Sequence, residues 1–296
     1  MKILPEAIII SVLFWNRRLL RHQQRITFRI MTNQPLNQLG QQKCLSVVMP
    51  AYNEEATLAH IVKLIMDIPH LLELVIVDDF STDNTPAIAQ SLAAQDERIR
   101  YIRQPKNAGK TAALKAGFAV TSGEIVIIQD ADLEYDPTEI ADVISPILQG
   151  DADVVYGSRF MVKRTTRVLY FYHYLANKGL TFLSNCLTNL NMTDVETCYK
   201  AFRGDIIRNM IIASSGFGFE IEVTAKIAKL KCAIYEVPIS YYGRTYEEGK
   251  KIGFKDGIAA FWYILKFNLL VDVSKSYQKT PATRSALPDR SLYSNE

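Results

Sequence analysis

The stretch I-V-I-I-Q-D-A-D-L-E-Y-D-P, residues 125–137, limits what this chain can fold into more than any other. Ile125, Val126, Ile127 and Ile128 make a short apolar run that suits a strand buried on both faces of a parallel sheet. The run breaks abruptly into Gln129, Asp130, Ala131, Asp132, Leu133 and Glu134. Carboxylates therefore crowd the carboxyl end of a buried strand, which is where open α/β sheets place their ligands. Extended backbone would send Asp130, Asp132 and Glu134 to one side and turn Ala131 and Leu133 away. Such carboxylates repel unless a positive charge sits among them. Hard oxygen ligands suit Mg²⁺ or Mn²⁺ carrying a diphosphate. The bland alternative is a solvated acidic loop capped by Asp136-Pro137.

The flanking sequence repeats this strand-to-helix pattern. Residues 45–50 read as a buried strand, residues 51–55 as its loop and residues 56–67 as a helix with apolar Leu58, Ile61, Val62, Ile65 and Met66. A second strand, 74–77, ends at Asp78-Asp79. Thr85 is the expected N-cap of the next helix, with Pro86 at its first position. Residues 99–103 form a short strand, Asn107-Ala108-Gly109-Lys110 opens a helix to about Thr121, and residues 154–159 form a strand with a polar end. Residues 237–242 are expected at a sheet edge because of Pro238. Strands alternating with helices predict an α/β fold with a mostly parallel central sheet flanked by helices.

The 296 residues suffice for one large domain, and the formal net charge of +3 gives no polyanion-binding character, so nucleic acid is not an expected partner. Cys44, Cys186, Cys198 and Cys232 lack C-x-x-C spacing, which argues against a zinc site or a disulfide framework and fits a reducing, cytoplasmic setting. Neither G-x-G-x-x-G nor a P-loop follows the first strand, so dehydrogenase and kinase readings lose their main support. What remains is a row of strand ends carrying Asn53-Glu54, Asp78-Asp79 and Asp130-x-Asp132. Each is weak alone, since Asn and Asp favour turns anyway. Together they can hold base, ribose and metal-diphosphate in turn.

Five motifs in order make this specific: P-A-Y-N-E-E, V-D-D-F-S-T-D-N-T, N-A-G-K-T-A-A-L-K-A-G-F, D-A-D-L-E-Y-D-P and G-S-R-F. They resemble the inverting family 2 glycosyltransferases of GT-A fold, and within these the polyprenyl-phosphate sugar transferases, from about Leu45 to Phe267. The resemblance implies a hexose moved from a nucleoside-diphosphate sugar to a polyprenyl phosphate at a membrane surface, with Mg²⁺ or Mn²⁺. By position, Pro50, Tyr52 and Glu54 match the first nucleotide-contacting loop and Asp79 the carboxylate beside the base. Asp130 and Asp132 match the D-x-D, with Glu134 as a further metal ligand. Lys110 is either a diphosphate contact or a solvated first-turn lysine.

On the acceptor side, Arg159 of G-S-R matches the arginine that contacts the lipid phosphate, a task suited to its planar fork. Arg203 is a second phosphate candidate or a surface arginine, and Arg244, in the charged loop 243–252, is a third. The family carries another arginine after G-x-R; here the chain reads Tyr172-His173-Tyr174-Leu175-Ala176-Asn177-Lys178, so His173 or Lys178 would have to substitute. An ionised lipid phosphate needs little base catalysis. A sugar hydroxyl would need a base, with Asp194 or Glu196 the candidates. Glu220 is expected to face the site, and Glu222, two residues on, to face solvent.

The readings for the ends are these. Residues 1–43 form a basic extension that is flexible or interfacial, with Met31 an alternative start. Residues 44–257 form the transferase domain. Residues 258–273, rich in aromatics, form an amphipathic interfacial helix. Residues 274–296 form a polar disordered tail. Two competing functions stay open: transfer to a saccharide or glycolipid hydroxyl, and a non-catalytic nucleotide-sugar-binding module.

Overall fold

The computed structural model describes residues 43–161, 167, 170–216, 218–243 and 254–284, and of 254–256 only the backbone. The N-terminal extension, Arg244 with most of its loop, and residues 285–296 lie outside the described residues.

Among the described residues seven strands form one sheet in the order β3-β2-β1-β4-β6-β5-β7. They are β1 (Leu45–Ala51), β2 (Leu71–Asp78), β3 (Ile99–Arg103), β4 (Ile125–Ile128), β5 (Val154–Ser158), β6 (Lys200–Arg203) and β7 (Ile234–Pro238). Helices α1 (Leu58–Met66), α2 (Thr85–Gln95), α3 (Lys110–Val120) and α4 (Ile140–Leu148) make the crossovers. They are followed by α5 (Phe171–Thr188), α6 (Gly204–Asn209), α7 (Phe219–Leu230) and α8 (Phe254–Leu265). The apolar run at β4 is buried throughout, between β1 in parallel and β6 in antiparallel register. Its all-apolar composition follows from having covered faces on both sides.

One reversal matters for function. β6 runs antiparallel to both β4 and β5, pairing Ile125 with Arg203 and Val154 with Phe202. The loop entering β6 therefore arrives at the edge where β1, β2, β4 and β5 end, and Arg203 leaves at the opposite edge. Gly157 allows the close layer here, because a Cβ on it would stand 2.8 Å from Ile239 and 3.0 Å from the Tyr199 Cβ.

Several expectations need correcting. The edge strand is Ile234–Pro238 rather than 237–242. Ile239 and Tyr241 lie beyond it and turn inward, 1% and 8% exposed. The second helix starts at Thr85 itself, with Asn84 as its cap residue. The C-terminal helix begins at Phe254 and continues through a π-helical turn, Lys266–Leu270. Ala260, Ile264 and Phe267 of this segment are buried, and α8 packs on α5 and α7. Residues 276–284 are not a loose tail. Ser276 and Tyr277 are buried, Gln278 donates to the Asn209 carbonyl at 2.8 Å, and the Arg284 N–H donates to Asp153 at 2.9 Å. One buried aromatic and a few backbone bonds outweigh the polar composition. Among the described residues no helix is long and apolar enough to cross a membrane.

Candidate active site

The site is built from loops at the carboxyl edge of the sheet, and those loops brace one another. Asp78, at the end of β2, accepts from the Ser81 N–H at 2.8 Å and from the Tyr101 hydroxyl at 3.1 Å. The loop after β1 is tied to the same turn: the Asn53 N–H donates to Ser81 Oγ at 3.0 Å and the Glu54 N–H to Thr85 Oγ1 at 2.8 Å. Asn53 and Phe80 both take positive φ, 54° and 65°, a conformation that non-glycine residues hold only where the surroundings fix it. Asp79 accepts from the Ala108 and Gly109 N–H groups at 2.9 and 2.7 Å, which fixes the entry to α3. Gly109 supplies the positive φ of 86° that this entry requires.

These loops surround a cavity of about 1240 Å³. Pro50, Tyr52, Glu54, Asp79, Lys110, Asp130, Asp132, Glu134 and Arg159 all line it. The stretch after β4 is turned rather than extended, because Asp132 Oδ1 captures the Glu134 N–H at 3.1 Å. Ala131 consequently joins the cavity wall, and Leu133 points to solvent.

A positive charge does sit among the carboxylates, and it is Lys110. Its Nζ lies 2.9 Å from Asp130 Oδ1, 3.6 Å from Glu220 Oε1 and 3.3 Å from Cys198 Sγ. The solvated reading of Lys110 is therefore corrected. Burial alone would lower its pKa, but the Asp130 and Glu220 charges override that and hold the ammonium well above its ordinary range.

Arg159 is held by Asp194. Its Nε donates to Oδ2 at 2.7 Å, its Nη2 to Oδ1 at 2.8 Å, and its own N–H to Oδ2 at 3.1 Å. The Tyr241 ring covers the guanidinium at 5.2 Å. Asp194 is fully buried and absent from the cavity wall, so its expected role as a base is corrected: it positions Arg159. Glu236 supports this arrangement by accepting from the Thr193 and Asp194 N–H groups.

The structure does not bring Arg203 to the site. It pairs with Asp153 at 2.8 Å and Asp205 at 2.6 Å on the far edge, a direct result of the reversed β6. Of the residues that would replace the family's further arginine, His173 lines the cavity, whereas Lys178 donates to the Thr193 carbonyl at 3.2 Å and covers the Phe160 ring. Glu220 lines the cavity as expected. Glu222 is not exposed but fully buried, accepting from Ala213, Ser214 and Lys226, because nearly every face of α7 is covered.

Tyr241 is the site residue that sequence reasoning missed. Its hydroxyl donates to Glu134 Oε2 at 2.7 Å while its ring meets Arg159, so it joins the acidic loop to the arginine. No local signal marks it, since its position depends on elements far apart in sequence. The apolar end of the cavity, walled by Leu180 and Leu183 of α5 and Ile258 and Phe261 of α8, was likewise not read.

Comparison with known proteins fits this geometry. Residues 46–211 match the family described as "Glycosyl transferase family 2". The chain belongs to glycosyltransferase family 2. Among curated relatives, this glycosyltransferase is 28% identical over 214 residues to the polyprenol monophosphomannose synthase of Mycolicibacterium smegmatis, covering 70% of this chain and 80% of the relative. It is 30% identical to the dolichol-phosphate mannosyltransferase of Pyrococcus furiosus, over 71% of this chain but only 59% of that longer protein. It is 29% identical to the undecaprenyl-phosphate mannosyltransferase of Micrococcus luteus, over 70% and 86%. In fold it resembles the glucosyl-3-phosphoglycerate synthase of Mycobacterium tuberculosis, crystallised with Mn²⁺, UDP and phosphoglyceric acid. That match has a TM-score of 0.63 at 21% identity, covering 79% of this chain and 82% of the other.

Proposed function

We propose that this glycosyltransferase moves a hexose, with inversion, from a nucleoside-diphosphate sugar to a polyprenyl phosphate at a membrane surface. The observation that carries the reading is the continuity of this one cavity. It joins the polar edge at Asp79 and Asp132 to Arg159, and runs on to apolar walls from α5 and α8. A substrate pair of which one is a charged nucleotide and the other an anionic lipid fits such a gradient.

In this reading Pro50, Tyr52, Glu54 and Asp79 hold the nucleoside, and Lys110 meets the diphosphate. Asp132, with Asp130 or Glu134, would hold Mg²⁺ or Mn²⁺. The donor set fits that group. It is all oxygen, and although no three metal-ligating side chains converge among the described residues, a hard cation needs only one or two carboxylates once a diphosphate supplies other oxygens. Such an ion neutralises the leaving diphosphate. Arg159, locked by Asp194, presents its remaining N–H groups to the acceptor phosphate. That phosphate is already ionised, so no base has to be found, and burying Asp194 against the arginine sacrifices nothing. The aromatics Phe171, Tyr172, Phe182, Phe261 and Trp262 are all more than half exposed, on the helices that wall the apolar end. They suit reversible insertion at the headgroup level, placing the enzyme peripherally on the cytoplasmic face.

The test is incubation with labelled GDP-mannose or UDP-glucose, Mg²⁺ or Mn²⁺ and short polyprenyl phosphates, read by the mass of the lipid product. A glycosyl polyprenyl phosphate, lost with excess chelator, is expected. Transfer only to saccharide or glycolipid hydroxyls would overturn the acceptor. Absence of turnover with retained nucleotide binding would favour a non-catalytic module. A second reading, with a hydroxyl acceptor, is favoured by one observation. Glu196 lines the cavity, and burial, reinforced by the Glu220 charge, pushes its carboxyl up to about 7, the range of a general base.

A further inference from the structure

The segment after β7 is fastened to the acidic stretch after β4 at several points. The Ser240 N–H and Oγ donate to the Glu139 carboxylate at 2.7 and 2.9 Å, and the Tyr242 N–H donates to the Glu134 carbonyl at 2.9 Å. Between them Tyr241 is turned inward, 8% exposed, with its ring centre 5.2 Å from that of Tyr135. Its hydroxyl donates to Glu134 Oε2 at 2.7 Å, and its ring centre lies 5.2 Å from the Arg159 guanidinium. One side chain therefore touches a carboxylate assigned to the metal and the arginine assigned to the acceptor phosphate. It uses a different part for each, the hydroxyl for one and the ring face for the other.

The fold does not depend on that hydroxyl. The Ser240 and Tyr242 bonds hold the segment without it, and the contacts with Tyr135 and Arg159 are made by the ring. What the hydroxyl does is tie the ring to the Glu134 side chain. A carboxylate has lone pairs on both oxygens, so Glu134 can ligate a cation and still accept from Tyr241. A cation that holds Glu134 in one rotamer then holds the Tyr241 ring as well, through a charge-assisted hydrogen bond of the short, strong kind. The ring face attracts the guanidinium. Asp194 grips Nε and Nη2, so a fixed ring leaves the remaining Arg159 N–H groups one orientation.

We propose that Tyr241 is a positioning residue that couples the two ends of the cavity, so that a metal-bound nucleoside diphosphate raises the affinity for the acceptor phosphate. This rests on the transferase reading above and adds regulation to it, favouring a site loaded with donor first and lipid second. The coupling comes from the difference between two states, a Tyr241 ring tied to a free Glu134 and one tied to a Glu134 held by the cation. It is reciprocal: the lipid phosphate raises the affinity for metal and nucleotide by the same factor.

The experiment is calorimetric titration of the full chain with a short, soluble polyprenyl phosphate, with and without saturating Mn²⁺ and whichever of UDP or GDP the protein binds. No sugar is present, so nothing is transferred and the readout does not depend on activity. Wild type should bind the lipid phosphate roughly tenfold more tightly when Mn²⁺ and nucleotide are present, and the reverse titration should give the same factor. Tyr241→Phe keeps the ring and should reduce that factor to about twofold or less, with Tm little changed. Glu134→Ala should reduce it as far, and adding Tyr241→Phe to that variant should change it no further, because the hydroxyl acts through this carboxylate. No coupling in wild type, or the same coupling in Tyr241→Phe, would overturn the proposal. So would a lipid affinity weakened equally with and without nucleotide, the mark of a hydroxyl that touches the lipid phosphate itself. If wild type binds neither nucleotide, or no lipid phosphate, the transferase reading fails and the proposal falls with it. Those results stand apart from the other three, which are seen only when both ligands bind.

Discussion

Arg159 and Arg203 both stand at strand ends, and they do opposite things. Arg159 follows V-V-Y-G-S and Arg203 closes K-A-F-R, and each grips a fully buried aspartate at 2.7 or 2.8 Å. At the level of the pair the chemistry is the same. Arg159 lines the cavity, whereas Arg203 braces the far edge, where Asp153 also collects the N–H groups of Ala233 and Arg284. The difference is strand direction. β5 runs with β4, so its end reaches the ligand edge, and β6 runs against both. A buried arginine–aspartate pair is therefore weak evidence of function by itself, and its place in the sheet decides.

The sharpest way to break this comparison is to substitute the working arginine. Arg159→Lys keeps the charge but loses the fork that Asp194 orients. The expected loss in kcat/KM for the acceptor is roughly 100-fold, or about 2.7 kcal/mol, with donor KM little changed and a stability cost no smaller than that of Arg203→Lys. If donor binding fails while acceptor kinetics hold, Arg159 is not the acceptor ligand.

The far edge should respond in stability instead. Asp153→Ala removes one of the three acceptors of the Arg203 guanidinium and leaves the N–H groups of Ala233 and Arg284 without theirs. Urea unfolding should show a loss of about 3 kcal/mol, with kcat/KM of the folded protein unchanged. An equal loss of turnover per folded molecule would tie the two edges together and undo the contrast.

How much of this could be read beforehand follows the same line. Features set by local sequence were legible: the buried run of β4, the glycine entry to α3 and the aromatic face of α8. These need only periodicity and turn chemistry. Features set by three-dimensional neighbours were not. A four-residue strand such as Lys200–Arg203 carries no mark of its direction, so Arg203 looked like a site residue. Glu222 and Lys226 have the i, i+4 spacing of a solvated pair, yet α7 is enclosed. Tyr241 acts across two loops distant from it, and no residue beside it in sequence indicates that.

A third carboxyl sharpens the comparison, because its Oε1 is buried without an arginine or any other hydrogen-bond partner among the described residues. The Glu196 carboxyl is pushed up to about 7 by burial and by Glu220, with Lys200 and Arg159 opposing. In the unfolded chain an ordinary glutamate releases its proton near pH 4.3, about the usual value. Between these two values the folded state binds more protons, so wild-type stability falls as pH rises through that window. Glutamine does not titrate. Glu196→Gln should thus be more stable than wild type at pH 8, on the order of 2 kcal/mol, with the gap closing by about pH 4. A gap of the same size at both pH values would mean that this carboxyl titrates normally.

The smallest effect is the control that completes the comparison. Arg203→Lys is the same substitution as at Arg159, on the other edge. Arg203 spans three acceptors: Asp153 at 2.8 Å, the Ala282 carbonyl at 3.1 Å and Asp205 at 2.6 Å. A lysine keeps the charge and can satisfy one of them, but it cannot span the set. Its side chain is 20% exposed, so water can reach part of what is left unpaired. The expected cost is about 1 kcal/mol in unfolding free energy, less than for Asp153→Ala because the buried carboxylate keeps a cation beside it. Acceptor and donor kinetics should stay within about twofold of wild type, since no interaction with the transition state is touched. A hundredfold loss of transfer here, matching Arg159→Lys, would mean that strand direction does not separate the two arginines, and that the acceptor phosphate is held by a surface other than the cavity wall.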